Sequence, residues 1–443
     1  MMAVPESASL VGIGFGPAGI GLGAALTDAA SSEFDGGWAA DFAREAVFIE
    51  WAPSSAWQPG MVLPGTDIQH HFLRDFGTPR DPASPFGFIH YLHERDRFYP
   101  FTLRSGYVTR AEWSDYCEWA AARVMSKVRY GHGAVSVEPV HGSDGVLAAL
   151  AVTARDQDGA LSTTLTNRVV LATGHEPYVP TEFRPALGER VFHSCQFAHR
   201  MRTLAGRLGS VAVIGGGQNA GEALLHLYHS TGVQLHSIVR NSGFRLYDLG
   251  HFANQAYWPP ETDYFHALPP SARTQIFDEQ YRTNYAAVDP DVSTGLYNAW
   301  YDGEVSGQQR LDMIRRHAVT SLQAENDRVR LRLQECHTGA VQQLEVDAVI
   351  LCTGYREPAV PEVLRPLAKH LTVESDGRLA VERDFQVPLQ HADDVALYLN
   401  GMSESRHGIA SATSFSLLAH RAAEIVQSLR QLSEAPVLER ASK

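Results

Sequence analysis

Apolar residues fall along the chain in short unbroken runs bounded by Gly, Pro and polar residues. Runs of this kind suit strands buried on both faces. The first, Ala8 to Ile13, leads into Gly14-Phe15-Gly16-Pro17-Ala18-Gly19 and an apolar helix to about Ala30. The next, Ala46 to Glu50, ends in an acid. Residues 52–110 are rich in Pro, Gly and aromatics, too long for a simple connection, and predict a functional insertion. Trp113, Tyr116, Cys117 and Ala120 recur at helical spacing and predict an amphipathic helix over 111–126. Short β-rich runs at 133–138, 147–153 and 161–166 lead to Val169-Val170-Leu171-Ala172-Thr173-Gly174.

The pattern then repeats. Val211 to Ile214 reads as a strand, Gly215-Gly216-Gly217-Gln218-Asn219-Ala220 as a turn, and Ala223 to Tyr228 as the helix that follows. The strand Leu235 to Val239 ends at a base, Arg240. Residues 241–320 are polar, aromatic and partly helical in pattern, and Glu325 to Arg332 reads as a turn entering a half-solvated strand. Ala348 to Leu351 enters Cys352-Thr353-Gly354-Tyr355; a strand at Val395 to Leu399 and a helix from about Ser411 to Leu429 close the chain. Strands alternating with helices predict an α/β fold with parallel, doubly wound sheets.

The 443 residues suit about two to four folding units. With 37 basic and 50 acidic side chains the net charge is −13, which argues against nucleic acid or an anionic membrane as the partner. Cys117, Cys195, Cys336 and Cys352 stand far apart with no C-x-x-C pair, as expected of reduced thiols in a cytoplasmic protein. No Lys or Arg precedes Arg44, so a basic signal-peptide start is lacking, and no membrane span is expected. His90 and His93 have no third ligand partner in the sequence, so no metal site is expected. A G-x-S-x-G elbow is absent, which disfavours a hydrolase.

Chemistry enters with the two glycine turns. In Gly14-x-Gly16-x-x-Gly19 the first glycine makes the turn, the second admits a pyrophosphate, and the third lets helix pack on strand. Pro17 opens the helix, whose N-terminus faces the anion, and Glu50 stands where a ribose hydroxyl is bound. Gly215-x-Gly217-x-x-Ala220 is the second copy, and Arg240 in place of an acid suits a ribose 2′-phosphate. Two fingerprints predict FAD plus NADPH. Without a cysteine pair the electrons do not go to a disulfide, and the long insertions favour a monooxygenase that uses O₂.

The chain resembles the microbial flavin-dependent N-hydroxylating monooxygenases, which act on ornithine, lysine or diamines in siderophore and other natural-product biosynthesis. The resemblance runs over nearly its whole length. It rests on the first glycine turn, on Trp57, Gly60-Met61, Pro64, Gln69, Phe72-Leu73 and Asp75, and on Asp81-Pro82, Ser84-Pro85-Phe86, Phe88 and Tyr91-Leu92. Phe192-His193-Ser194, Gly215-Gly216-Gly217-Gln218, Phe252-Ala253-Asn254, Thr283-Asn284-Tyr285, Thr353-Gly354-Tyr355 and His407-Gly408 are similar to further family signatures. The resemblance implies that NADPH reduces FAD, NADP⁺ stays bound, O₂ adds at the flavin C4a, and a neutral primary amine takes the distal oxygen. No obligatory catalytic side chain is implied. Trp57, Met61, Gln69, Gln218, Thr353 and Gly354 are implied as cofactor neighbours, and Asn254 and Asn284 as contacts to substrate or nicotinamide ribose.

Ornithine enzymes of this family read Met-Gln-x-x-Phe-x-Lys-Asp where this chain reads Ile68-Gln69-His70-His71-Phe72-Leu73-Arg74-Asp75. The family lysine binds the substrate carboxylate, so Arg74 is expected to do so, with His70 beside it. An Arg fork grips a carboxylate through two parallel hydrogen bonds but is not geometrically equivalent to Lys. The alternatives are a diamine substrate, or an Arg74 that only pairs with Asp75 or Asp81. A Baeyer–Villiger or sulfur-oxidising enzyme would share both turns, but its F-x-G before a His and Trp-Pro after it are not matched by Phe192-His193-Ser194 and the distant Trp258-Pro259. The expected organisation is an FAD domain of 1–205 and 345–443, with an NADPH domain of 206–344 carrying the 241–320 insertion. The substrate then lies at their interface, and the family suggests a dimer or tetramer.

Overall fold

A computed structural model describes residues 6–31, 37–104, 106–392, 394–412 and 414–434. Its first sheet orders six strands as Gln386–Val387, Ala396–Leu399, Arg168–Leu171, Val11–Ile13, Val47–Glu50 and Lys127–Tyr130, parallel except for the first pair. The second sheet orders five parallel strands as Val191–His193, Ala348–Leu351, Ser210–Ile214, Gln234–Val239 and Leu311–Arg315. The fold is α/β with two Rossmann-like dinucleotide-binding units. Each parallel sheet packs helices on one face. Its other face carries a small antiparallel sheet, Gly133–His141 with Leu147–Arg155 and Leu161–Thr166 in the first unit and His317–Glu325 with Arg328–Glu335 and Val341–Val346 in the second. Arg328–Glu335 alternates exposed and buried residues, the half-solvated strand expected there.

The chain crosses between the sheets at 172–178 and 352–357, where Glu176–Pro177 and Tyr355–Arg356 pair antiparallel. Boundaries at 205 and 345 need correction on this point. Val191–His193 and Ala348–Leu351 lie outside the 206–344 span yet pair inside the second sheet, because their fully buried apolar edges are completed there.

The insertion at 52–110 is a packed layer. Phe76, Phe86, Phe88 and Tyr91 are buried against Trp113 and Tyr116 of the helix Arg110–Ala121. That helix starts where the Thr109 hydroxyl accepts from the Glu112 N–H at 3.2 Å. Asp75 anchors the loop by accepting from the N–H groups of Gly77, Thr78 and Phe88 at 2.6–2.9 Å. Within 241–320 the helices Pro259–Ala267, Pro270–Gln280 and Pro290–Ser306 each begin on Pro, which suits a first helical turn. The strand Leu311–Arg315 in that span was not expected from its pattern, nor was the helix Trp38–Glu45. The closing helix is not continuous from 411: Ile409–Ala412 ends, a turn at 414–417 follows, and Leu418–Glu434 restarts. Thr413 lies outside the described residues. Among the described residues no helix is long and apolar enough to cross a membrane, and no group of three or more His, Cys, Asp or Glu could hold a metal.

Candidate active site

Both glycine turns join a parallel strand to a helix. Gly14 has φ 95° and Gly215 φ 143°, and a Cβ on either would lie 2.5 or 2.3 Å from a carbonyl oxygen of the neighbouring crossover, Ala172 or Cys352. Only glycine fits there. The middle glycines differ: a Cβ on Gly16 would meet nothing within 4 Å, and one on Gly217 nothing nearer than 3.9 Å. Helices Pro17–Ala30 and Gln218–Ser230 start on these glycines with no side-chain cap. Each turn therefore presents uncapped N–H groups to open space, a fit for a pyrophosphate.

The open space is one cavity of about 2020 Å³ between the two sheets. Gly14, Gly16, Pro17, Glu50, Trp57 and Gln69 line it from one side, and Gly215, Gly217, Ala220 and Arg240 from the other. His70, Arg74, Asn254, Asn284, Thr353 and Gly354 also face it. The Glu50 carboxylate accepts from Phe15 N–H at 2.6 Å and Ala52 N–H at 2.8 Å, so the turn itself orients it. Arg240 is exposed at its strand end. Thr353 donates to the Tyr178 carbonyl, and Gly354 accepts from His193, so both also brace the crossover.

Three expected cofactor neighbours are held mainly by the protein itself, Gly19 in the packing role expected of a third glycine. Gly19 does not face the cavity; a Cβ there would lie 2.4 Å from the Gly14 carbonyl, so it serves the helix–strand contact. Met61 is 1% exposed and packs with Phe192 and Phe197, because its apolar chain is drawn into the second unit's core. Gln218 borders the cavity, but its amide is occupied: Oε1 accepts from Asp289 N–H at 2.9 Å and Nε2 donates to Glu222 at 3.0 Å.

Arg74 is half-buried. Its Nη1 donates to the Ser416 hydroxyl at 2.8 Å, and its guanidinium carbon lies 5.7 Å from the Tyr257 ring centre. No described carboxylate pairs with it. Asp75 serves the backbone of its own loop and Asp81 caps Ala83, which removes the loop-only pairing. His70 lies edge-on to Trp113 and 5.0 Å from Phe415; burial pushes its imidazole down to about 4, so it is neutral near pH 7. Nδ1 faces the His71 carbonyl at 3.0 Å and therefore carries the proton. Asn254 donates to the Leu249 carbonyl at 2.7 Å, and Asn284 lies 3.3 Å from the Tyr257 hydroxyl. Where Gln69 meets the second unit, burial pushes the carboxyls of Glu222 up to about 7 and Asp289 up to about 6.

The model of the L-lysine 6-monooxygenase/L-ornithine 5-monooxygenase family matches residues 6–357. This chain belongs to that family. An L-ornithine N(5)-monooxygenase of Pseudomonas aeruginosa is 33% identical over 428 residues, 95% of this chain and 93% of the relative. The ornithine N-hydroxylase of Kutzneria sp. 744, solved with reduced FAD, NADP⁺ and L-ornithine, superposes with TM-score 0.89 at 31% identity, covering 97% of this chain and all of that one. The L-lysine 6-monooxygenase of Pseudomonas syringae gives TM-score 0.85 at 35% identity over 96% of this chain and all of its own.

This member of the lysine/ornithine monooxygenases holds site residues that sequence reasoning missed. Ser416 and Phe415 sit in the turn that interrupts an otherwise helical pattern. Tyr257 and Asp289 fall in the polar span, and only Asp289-Pro290 carried a signal, an acid before a helix-opening proline.

Proposed function

We propose that this family member hydroxylates the side-chain amine of an amino acid, ornithine or lysine being the natural candidates, with Arg74 holding the carboxylate. The reaction class is the family's own, a flavin-dependent N-hydroxylation with NADPH and O₂. FAD would be held by Gly14, Gly16, Pro17, Glu50 and Trp57 on the first sheet, and NADPH by Gly215, Gly217, Ala220 and Arg240 on the second. When bound, FAD reduced by NADPH supplies activated oxygen.

The protein's part is to place a neutral amine and keep it dry. The aromatic wall of Trp57 and Phe415, 5.3 Å apart, and the uncharged His70 ring exclude water. The low polarity of the wall formed by Trp57, Phe415 and the neutral His70 ring disfavours an ammonium, the unreactive form. Asn254 and Asn284 supply polar contacts to substrate or ribose. The observation that carries the reading is Arg74, a guanidinium on the cavity wall with a hydroxyl and an aromatic face as partners but no described carboxylate. A diamine would place a second ammonium against that cation. An N-hydroxylated amino acid of this kind suits siderophore assembly.

The test is turnover of FAD-loaded enzyme with ornithine, lysine, other amino acids, putrescine, cadaverine and ketones, scoring hydroxylamine and hydrogen peroxide separately from NADPH loss. Arg74→Ala is expected to raise KM for the amino acid by about 10- to 100-fold, the loss of a charge-assisted pair. An unchanged KM, or preferred turnover of putrescine or cadaverine, removes the carboxylate anchor.

A further inference from the structure

Gln69 is held in an uncommon way. Its φ is 61°, a left-handed conformation that a non-glycine residue keeps when its surroundings hold it. Asp67 Oδ1 accepts from the Gln69 N–H at 2.9 Å, and Gln69 Nε2 donates to Asp289 Oδ2 at 2.7 Å. Asp289 comes from the other unit, at the N-cap of the helix Pro290–Ser306. From there a closed ring of hydrogen bonds returns. The Asp289 N–H donates to Gln218 Oε1 at 2.9 Å, Gln218 Nε2 donates to Glu222 at 3.0 Å, Arg110 Nη2 donates to Glu222 at 3.0 Å, and Arg110 Nε donates to the Asp67 carbonyl at 3.0 Å. Gln69, Asp67, Arg110, Gln218 and Asp289 all face the cavity between the glycine turns.

We propose that Asp289 is a positioning residue that decides which end of the Gln69 amide faces the nucleotide cavity. A carboxylate only accepts hydrogen bonds, so an ionised Asp289 must meet the NH₂ end and the carbonyl end must point away from it. A protonated Asp289 can donate to the carbonyl instead, which lets the amide turn over. The amide thus offers the cavity an acceptor in one state and donors in the other. Asp67, Asp291, Glu222 and Tyr247 face Asp289 together with Arg110 and the Gln218 amide, whose Nε2 donates to Asp289 Oδ2 at 3.4 Å, and the Tyr247 phenol also hydrogen-bonds the Gln69 side chain. Burial and the neighbouring carboxylates push the Asp289 carboxyl up to about 6, against the pull of the Gln69 hydrogen bond and Arg110, so both states are reached near neutral pH. The inference rests on the reading of this cavity as a nucleotide site, but not on which amine is hydroxylated.

The test is calorimetric titration of NADP⁺ into FAD-loaded enzyme between pH 5 and 8, with no amine present. Wild type, Asp289→Asn, Gln69→Met and the double variant are compared. The Asn side chain can accept or donate at any pH, so the expected result is a wild-type to Asp289→Asn ratio of Kd that changes about 3- to 10-fold around pH 6. In the Gln69→Met background that change disappears. Titration of the cofactor's own phosphate occurs in every protein and cancels in the ratio. If Asp289→Asn fails to load FAD, the wild-type to Gln69→Met ratio reads the same link, because Asp289 stays in place. A pH-independent ratio, or an effect of Asp289→Asn that persists without the Gln69 amide, overturns the inference alone. Failure of every protein to bind NADP⁺ overturns it together with the cofactor reading.

Discussion

The two glycine turns share a backbone plan and differ at the third position and at the end of the next strand. In the first, Gly19 packs so close to the Gly14 carbonyl that a methyl would lie 2.4 Å away, and Glu50 is locked by two N–H groups, Phe15 of its own turn and Ala52. In the second, Ala220 already carries a methyl in a fully buried position, and Arg240 stands exposed at the strand end. One turn is preorganised down to its acceptor. The other offers a cradle and a side chain that must settle on its ligand. Preorganised groups lose little freedom on binding, whereas an exposed Arg loses side-chain entropy. The first arrangement suits a cofactor held permanently, the second one that is held through a reaction and leaves when it is complete.

The sharpest way to break this comparison is Gly19→Ala. The obstructing atom is backbone, so the helix must shift, and the expected cost is on the order of 3 kcal/mol with loss of bound flavin. Flavin absorbance per protein and the melting temperature report both; a variant that melts and loads like wild type would erase the contrast at the third position. Next, Arg240→Ala is expected to lower the NADPH-over-NADH preference in kcat/KM by about tenfold, with flavin content unchanged. Similar preference before and after would remove the phosphate contact. The smallest effect belongs to Ala220→Gly, about 0.5–1 kcal/mol of stability from added backbone freedom in a helix, read as a small drop in denaturant midpoint. A loss as large as that of Gly19→Ala would show that the second turn is as tightly packed as the first.

The backbone part of the candidate site is legible in the sequence because it is local. Gly14, Gly16, Gly215 and Gly217 answer to backbone demands within a few residues, and Glu50 and Arg240 end strands whose apolar runs announce them. Nothing in the neighbourhood of Met61 says that its side chain enters the second unit's core. Gln218 borders the cavity, but its neighbourhood in the chain does not announce that Asp289 and Glu222 hold its amide. The closing helix was overextended because Phe415 and Leu418 keep an apolar rhythm across the turn at 414–417.

The sequence by itself determined the two strand–turn–helix units, the sign of the charge that ends each second strand, and a cation at Arg74. These follow from residue types at short spacing, where sterics and hydrogen bonding act between near neighbours. Only the tertiary structure decided that Arg74 meets Ser416, 342 positions away, and that Gln69 meets Asp289, 220 positions away. It also decided that no described carboxylate neutralises Arg74, and that the strands on either side of the second unit complete its sheet. The physical reason is that partners and burial are properties of the packed chain: a side chain's charge is written in its own identity, but what it faces is set by whichever distant segment the core brings beside it.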